Sequence, residues 1–65
     1  MQAPSRMTIA KIPKGEFISV PIPADMDPKV YMARLYSAAA AVARTRGRWI
    51  VTRRVGNHAQ IARVA

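Results

Sequence analysis

Residues 47–65 read GRWIVTRRVGNHAQIARVA, and this stretch decides the predicted fold. Apolar residues alternate with polar or charged ones on both sides of Gly56-Asn57, a pair typical of a two-residue β-hairpin turn. With this pair as the loop, Val51 lies opposite Ala62. A three-residue loop would set Val51 opposite Arg63 and mix charge into an apolar row. We therefore predict a hairpin with the two-residue loop.

This register divides the hairpin side chains between two faces, because successive residues of a strand point to opposite sides. One face, predicted to be buried under a helix, carries Trp49, Val51, Ala62 and Val64. The other face, predicted to stay open, carries Arg48, Ile50, Thr52, Arg54, Ala59, Ile61 and Arg63.

A long helix is predicted before the hairpin. Asp27 is a suitable N-cap, and a proline at the first helical position needs no N–H partner. The helix should run from Pro28 to about Arg46, with Gly47 as the residue that follows it. Its apolar stripe is Tyr31, Leu35, Ala38 and Val42, widened by Met32, Tyr36 and Ala39. The opposite side carries Arg34, Ser37, Ala41 and Arg44.

The N-terminal part is predicted to supply two short strands. Thr8–Ile12 and Glu16–Val20 are the candidates, and Pro13-Lys14-Gly15 between them suits a turn. Two prolines, Pro21 and Pro23, then end the second strand or confine it to a sheet edge. Residues 1–6 show no pattern and are expected to be disordered.

These elements predict a single α+β domain over residues 1–65. An N-terminal strand or hairpin, one long α-helix and a C-terminal β-hairpin follow one another, with the helix packed on a small antiparallel sheet. A chain of 65 residues buries a small core, so a partner that covers more of its surface would add stability. We therefore expect that the protein can form a homodimer that buries Ile50, Ile61 or an edge strand.

The composition argues against several classes of function. The chain has no cysteine, three carboxylates and one histidine, His58, which the hairpin places at its turn. No acid–base pair, activated nucleophile or set of metal ligands can be assembled from these groups, so we expect no enzyme, metal site or cofactor. No apolar run approaches the ~18 residues of a membrane span. We expect no membrane association and a cytoplasmic location.

The positive charge is the main functional signal. The net charge is +8, and residues 28–65 contain eight cations and no acid. Seven of the eight are arginines, whose planar guanidinium suits phosphate and carboxylate groups. The predicted binding residues are the arginines at the helix end and on the hairpin: Arg44, Arg46, Arg48, Arg53, Arg54 and Arg63.

Three interpretations of this charge are open: a solvated basic surface, a nucleic-acid interface, or a surface that docks on an acidic protein. Exposed surfaces usually mix both signs of charge, which disfavours the first. We expect nucleic acid as the partner, and DNA rather than RNA. With Trp49 and both tyrosines assigned to the core, few aromatics remain for base stacking, so backbone-dominated binding to duplex DNA is favoured. The alternative is a host-directed inhibitor that binds an acidic surface of a bacterial enzyme such as RNA polymerase.

A resemblance bears on the origin of the chain. An Ala/Arg-rich helix followed by Gly47-Arg48-Trp49, Thr52-Arg53, Val55 and Arg63-Val64 resembles a pattern in short bacteriophage and prophage basic proteins. It covers residues 28–65, and Ala62 stands where such proteins often have an aromatic residue. The resemblance implies a phage origin and brings no established activity with it. With that origin, we expect a small DNA-binding regulatory protein in the bacterial host cytoplasm. The resemblance supplies no binding residues.

Overall fold

A computed structural model describes residues 4–65 of the protein. Its elements, in chain order, are α1 (Arg6–Ala10), β1 (Phe17–Pro21), α2 (Pro28–Arg46), β2 (Ile50–Val55) and β3 (His58–Arg63). The strands form one antiparallel sheet in the order β1-β3-β2. The predicted α+β class is confirmed. Within residues 4–65, no helix has the length and apolar character needed to cross a membrane.

Helix α2 has the predicted bounds because both of its ends are capped. The Asp27 carboxylate accepts a hydrogen bond from the Lys29 backbone N–H at 2.9 Å. At the other end Gly47 adopts a φ of 62°, the left-handed conformation that glycine takes without a steric penalty. The Arg48 backbone N–H then donates to the Ala43 carbonyl at 3.1 Å and closes the helix end.

The predicted register of the C-terminal hairpin is confirmed. Val51 lies opposite Ala62, and Gly56-Asn57 forms the two-residue loop. Strand β1 pairs with the other side of β3, so that Phe17 also lies opposite Ala62. Strand β1 is an edge strand that ends at Pro21, which confirms the prediction made from the prolines.

The first predicted strand, Thr8–Ile12, is wrong: this segment contains most of α1. The Ser5 side chain accepts a hydrogen bond from the Thr8 backbone N–H at 3.2 Å and starts the helix. Ile9 and Ile12 are three residues apart, a spacing that places both on one side of a helical turn, and both are buried. Residues 1–3 of the segment expected to be disordered lie outside the described residues, whereas Ser5 and Arg6 belong to the start of α1.

The predicted assignment of the two hairpin faces is also wrong. Ala59 and Ile61 are fully buried beneath α2, and Ile50 packs against the same core. Trp49 and Val51, predicted to be buried, are 64% and 42% exposed. Strand β1 explains the difference, because its own apolar pair, Ile18 and Val20, lies opposite Ile61 and Ala59 and enlarges that face.

The core lies between the sheet and the two helices. Its buried residues are Ile9, Ile12, Ile22, Tyr31, Leu35, Ala39, Val42, Ala59 and Ile61. Helix α1 packs beside α2, so Ala41, predicted to face outward, is buried. Tyr36, predicted to widen the buried stripe, is 67% exposed. The buried face of α2 is therefore rotated toward α1.

Candidate functional site

The side of the sheet away from the helices carries a continuous set of exposed side chains, which we call the open face. Alternation and register place on it Phe17, Ser19 and Pro21 from β1, Val51, Arg53 and Val55 from β2, and His58, Gln60 and Ala62 from β3. Trp49 and Val64 extend it, since the Val64 backbone N–H donates to the Trp49 carbonyl at 2.8 Å.

The open face is apolar and accessible. Phe17 is 61% exposed and Trp49 64%, and the three valines, Val51, Val55 and Val64, are each more than 40% exposed. A shallow depression lies among these groups, lined by Phe17, Val51, Arg53, Gln60, Ala62 and Val64. Scattered apolar residues are normal on a protein surface, but a contiguous group of this kind is typical of a binding site.

Arg53 supplies the charge of the open face. Its Nε donates to the Gln60 side-chain oxygen at 2.9 Å across the β2–β3 pair. This bond uses one of the five N–H donors of the guanidinium. The group is therefore held above the sheet with its terminal nitrogens available to an anion.

Arg48 and Arg63 lie on the opposite side of the sheet and hold α1 in place. The Arg48 Nη1 donates to the carbonyl oxygen of Ala10, at the end of α1. The Arg63 Nη1 donates to the Ile12 carbonyl oxygen at 3.5 Å. Burial, and then the positive charges of Arg63 and Arg46, lower the pKa of Arg48. These two arginines thus have a structural role in addition to any binding role.

The other three predicted arginines are exposed. Arg44 and Arg46 belong to the last turn of α2. Arg54 lies beside the hairpin turn, where its Nε donates to the Gly56 carbonyl at 2.8 Å.

The structure therefore brings Arg46, Arg48 and Arg63 together at one end of the sheet and places Arg53 and Arg54 near the other. The two groups are separated by roughly 17 Å, the length of five strand residues. They do not form one patch.

Sequence reasoning missed Phe17 as a surface residue. The signal was present, because Phe17 and Ser19 alternate with Ile18 and Val20, and the purely apolar pair is the better candidate for the core. His58 lies at the hairpin turn as predicted, with its Nδ1 3.1 Å from the Asn57 side-chain oxygen. Across residues 4–65, no three His, Cys, Asp or Glu side chains are grouped as a metal site requires.

Comparison of the chain with known protein families, curated proteins and solved structures finds no match.

Proposed function

We propose that this protein binds nucleic acid and that its arginines contact the phosphate backbone. The observation that supports the proposal is the uncompensated charge of residues 28–65, which contain eight cations and no acid. The side-chain hydrogen bonds of arginines in residues 4–65 go to backbone or amide oxygens, and none goes to an Asp or Glu side chain. Their charge is therefore left to attract an external polyanion.

The separation of the two arginine groups sets the expected length of the contact. A distance of roughly 17 Å corresponds to about five nucleotide steps along one strand of a duplex. One backbone could therefore meet Arg46 at one end of the sheet and Arg54, which the register places on the same side of the sheet as Arg63, near the other end. Such contacts fix the position of the nucleic acid and carry no base specificity by themselves.

The salt dependence of binding tests the proposal. We expect the logarithm of the association constant for a labelled oligonucleotide to fall with the logarithm of the salt concentration, at a slope of roughly 3 to 5 in magnitude for four to six phosphate contacts. Replacing Arg46 or Arg54 with glutamine should lower the slope by slightly less than one each. Lack of binding to DNA and RNA at about 50 mM salt would contradict the proposal.

The second candidate function is docking on an acidic protein surface. The apolar side chains of the open face favour it, since a protein partner can cover Val51, Val55 and Val64. The same titration separates the two candidates, because an acidic protein partner predicts no affinity for an oligonucleotide beyond weak attraction that vanishes at physiological salt.

A further inference from the structure

We infer that the open face stacks unpaired bases, so that the ligand of this protein is single-stranded nucleic acid. The inference rests on the proposed function, in which the arginines attract the backbone. It adds a surface for the bases themselves. The preference for duplex DNA depended on placing Trp49 in the core, and an exposure of 64% removes that premise.

Two aromatic side chains flank the open face. Phe17 and Trp49 lie on either side of β3, at the two outer positions of the sheet. Two strand spacings and a shift of two residues put their Cα atoms roughly 12 Å apart. Between them lie Ala62, opposite Phe17, and Val64, opposite Trp49, both of which line the depression. Aromatic side chains presented on such a sheet surface stack with bases of any sequence.

The polar groups of the open face suit a nucleic-acid strand, which has anionic phosphates and planar bases. Arg53 keeps its terminal nitrogens beside the depression while Gln60 holds its Nε. Strands β1, β2 and β3 contain no Asp or Glu to repel phosphate. A guanidinium in this place can pair with a phosphate or stack on a base.

The other occupants of this surface fit less well. In a duplex the base faces are already stacked on one another, so Phe17 and Trp49 would meet only the backbone. A second copy would bring together two chains that each carry a charge of +8 and would remove Arg53 from water without an acidic partner. A single strand neutralises the charge and covers the aromatic rings at once.

Trp49 is the sole tryptophan, so its fluorescence reports directly on the open face. The probe is a thymidine oligonucleotide of about 12 nucleotides, compared with the duplex that it forms with its complement. We expect the single strand to quench Trp49 emission and to bind more tightly than the duplex. Trp49→Ala should weaken single-strand binding about 5- to 150-fold, the loss of one stacked base.

Matched variants separate stacking from general effects. Tyr36→Ala removes an aromatic of similar exposure from α2, outside the open face, and should leave binding unchanged. Arg53→Gln should weaken single-strand binding more than Arg34→Gln, although each removes one exposed charge. Phe17→Ala repeats the stacking test at the other aromatic, and circular dichroism confirms that each variant is folded.

Three other outcomes of these titrations would contradict the inference. Equal affinity for single strand and duplex, with no effect of Trp49→Ala or Phe17→Ala, would overturn the inference and leave the proposed function standing. Lack of binding to either probe would overturn both. A dimer at low salt that Trp49→Ala or Phe17→Ala abolishes, and that the oligonucleotide does not dissociate, would place a second copy on the open face and would also overturn the inference.

Discussion

Tyr31 illustrates at the residue scale how a small core limits its own stability. The side chain is completely buried, and within residues 4–65 its hydroxyl has no hydrogen-bond partner. An unsatisfied polar group in an apolar core costs about 1–3 kcal/mol. Burial of the aromatic ring stabilises the folded protein, and burial of the unpaired hydroxyl reduces that stabilisation.

Tyr31→Phe should therefore stabilise the protein by about 1 kcal/mol at neutral pH, since it keeps the ring and removes the unpaired hydroxyl. Urea unfolding followed by circular dichroism measures the change. A Tyr31→Phe variant that is less stable than the parent would show that the hydroxyl has a favourable partner.

The pH dependence of the free energy of unfolding, measured for the parent protein and for Tyr31→Phe, gives a second test. Burial raises the pKa of Tyr31 above its ordinary value of 10.0. Below that value the phenol is neutral in both states, whereas above it the unfolded chain ionises first and the native state loses stability. The advantage of Tyr31→Phe should consequently grow as the pH rises above about 10. An advantage that stays constant with pH would contradict the assigned burial.

Trp49 shows which residue-scale property the sequence could not decide. The hairpin register was predictable because a shift by one residue would mix charge into an apolar row. The choice of the buried face was not, because both faces of the hairpin contain apolar residues. The buried face is determined by Ile18 and Val20 on β1, which enlarge the apolar face that carries Ile61. Strand β1 lies more than 25 residues before the hairpin in sequence, so the hairpin sequence alone does not reveal this.

At the scale of elements, α1 depends on the rest of the fold. A helix of five residues has too few internal hydrogen bonds to be stable by itself. It is held by the burial of Ile9 and Ile12 and by the hydrogen bond from Arg48 to the Ala10 carbonyl.

Arg48→Ala should loosen α1 and leave α2 intact. We expect faster hydrogen exchange at the amides of Ile9 and Lys11, which bond to Ser5 and Met7 within α1, and unchanged exchange in the middle of α2. Arg44→Ala is the control, because it removes an exposed charge from the end of α2. Faster exchange in both variants would point to electrostatics rather than to the Ala10 contact.

The contrast between α1 and α2 explains which elements could be predicted. Helix α2 has a strong signal at each end, Asp27-Pro28 and Gly47, and an apolar stripe between them. Helix α1 has a serine cap and one buried isoleucine, Ile9, and Ile12 follows three residues later, just beyond the end of the helix. The signal exists, but a single turn offers too few residues to establish a period.

At the scale of the whole molecule, the predicted binding residues divide into two groups. That arginines would form the binding site could be predicted from the composition, since arginines without nearby acids suggest an anionic partner. How these arginines are grouped in space could not be predicted, because the grouping depends on which side of the sheet the helices cover. Arg48 and Arg63 donate hydrogen bonds to backbone carbonyls at and just after the end of α1, whereas Arg53 is the charged group of the open face.

Self-association is the remaining whole-molecule prediction. Ile61 is already buried within the protomer and Ile50 packs against the same core, so a homodimer would use an edge strand, the remaining predicted contact. Because each copy carries a charge of +8, we expect a monomer at low salt. A dimer should form as screening increases between about 0.05 and 1 M salt. Sedimentation velocity measures this, and a monomer at every salt concentration would contradict it.

The central position of β3 has a consequence for how the chain folds during synthesis. Every strand pair in the sheet includes β3, and β3 follows all the other described elements in sequence. While the ribosome has delivered only the first 57 residues, β1 has no strand with which to pair and α2 lacks the cover of Ala59 and Ile61. Cooperative folding must therefore await β3, and until then the apolar side chains of α2 and the strand edge of β1 remain uncovered.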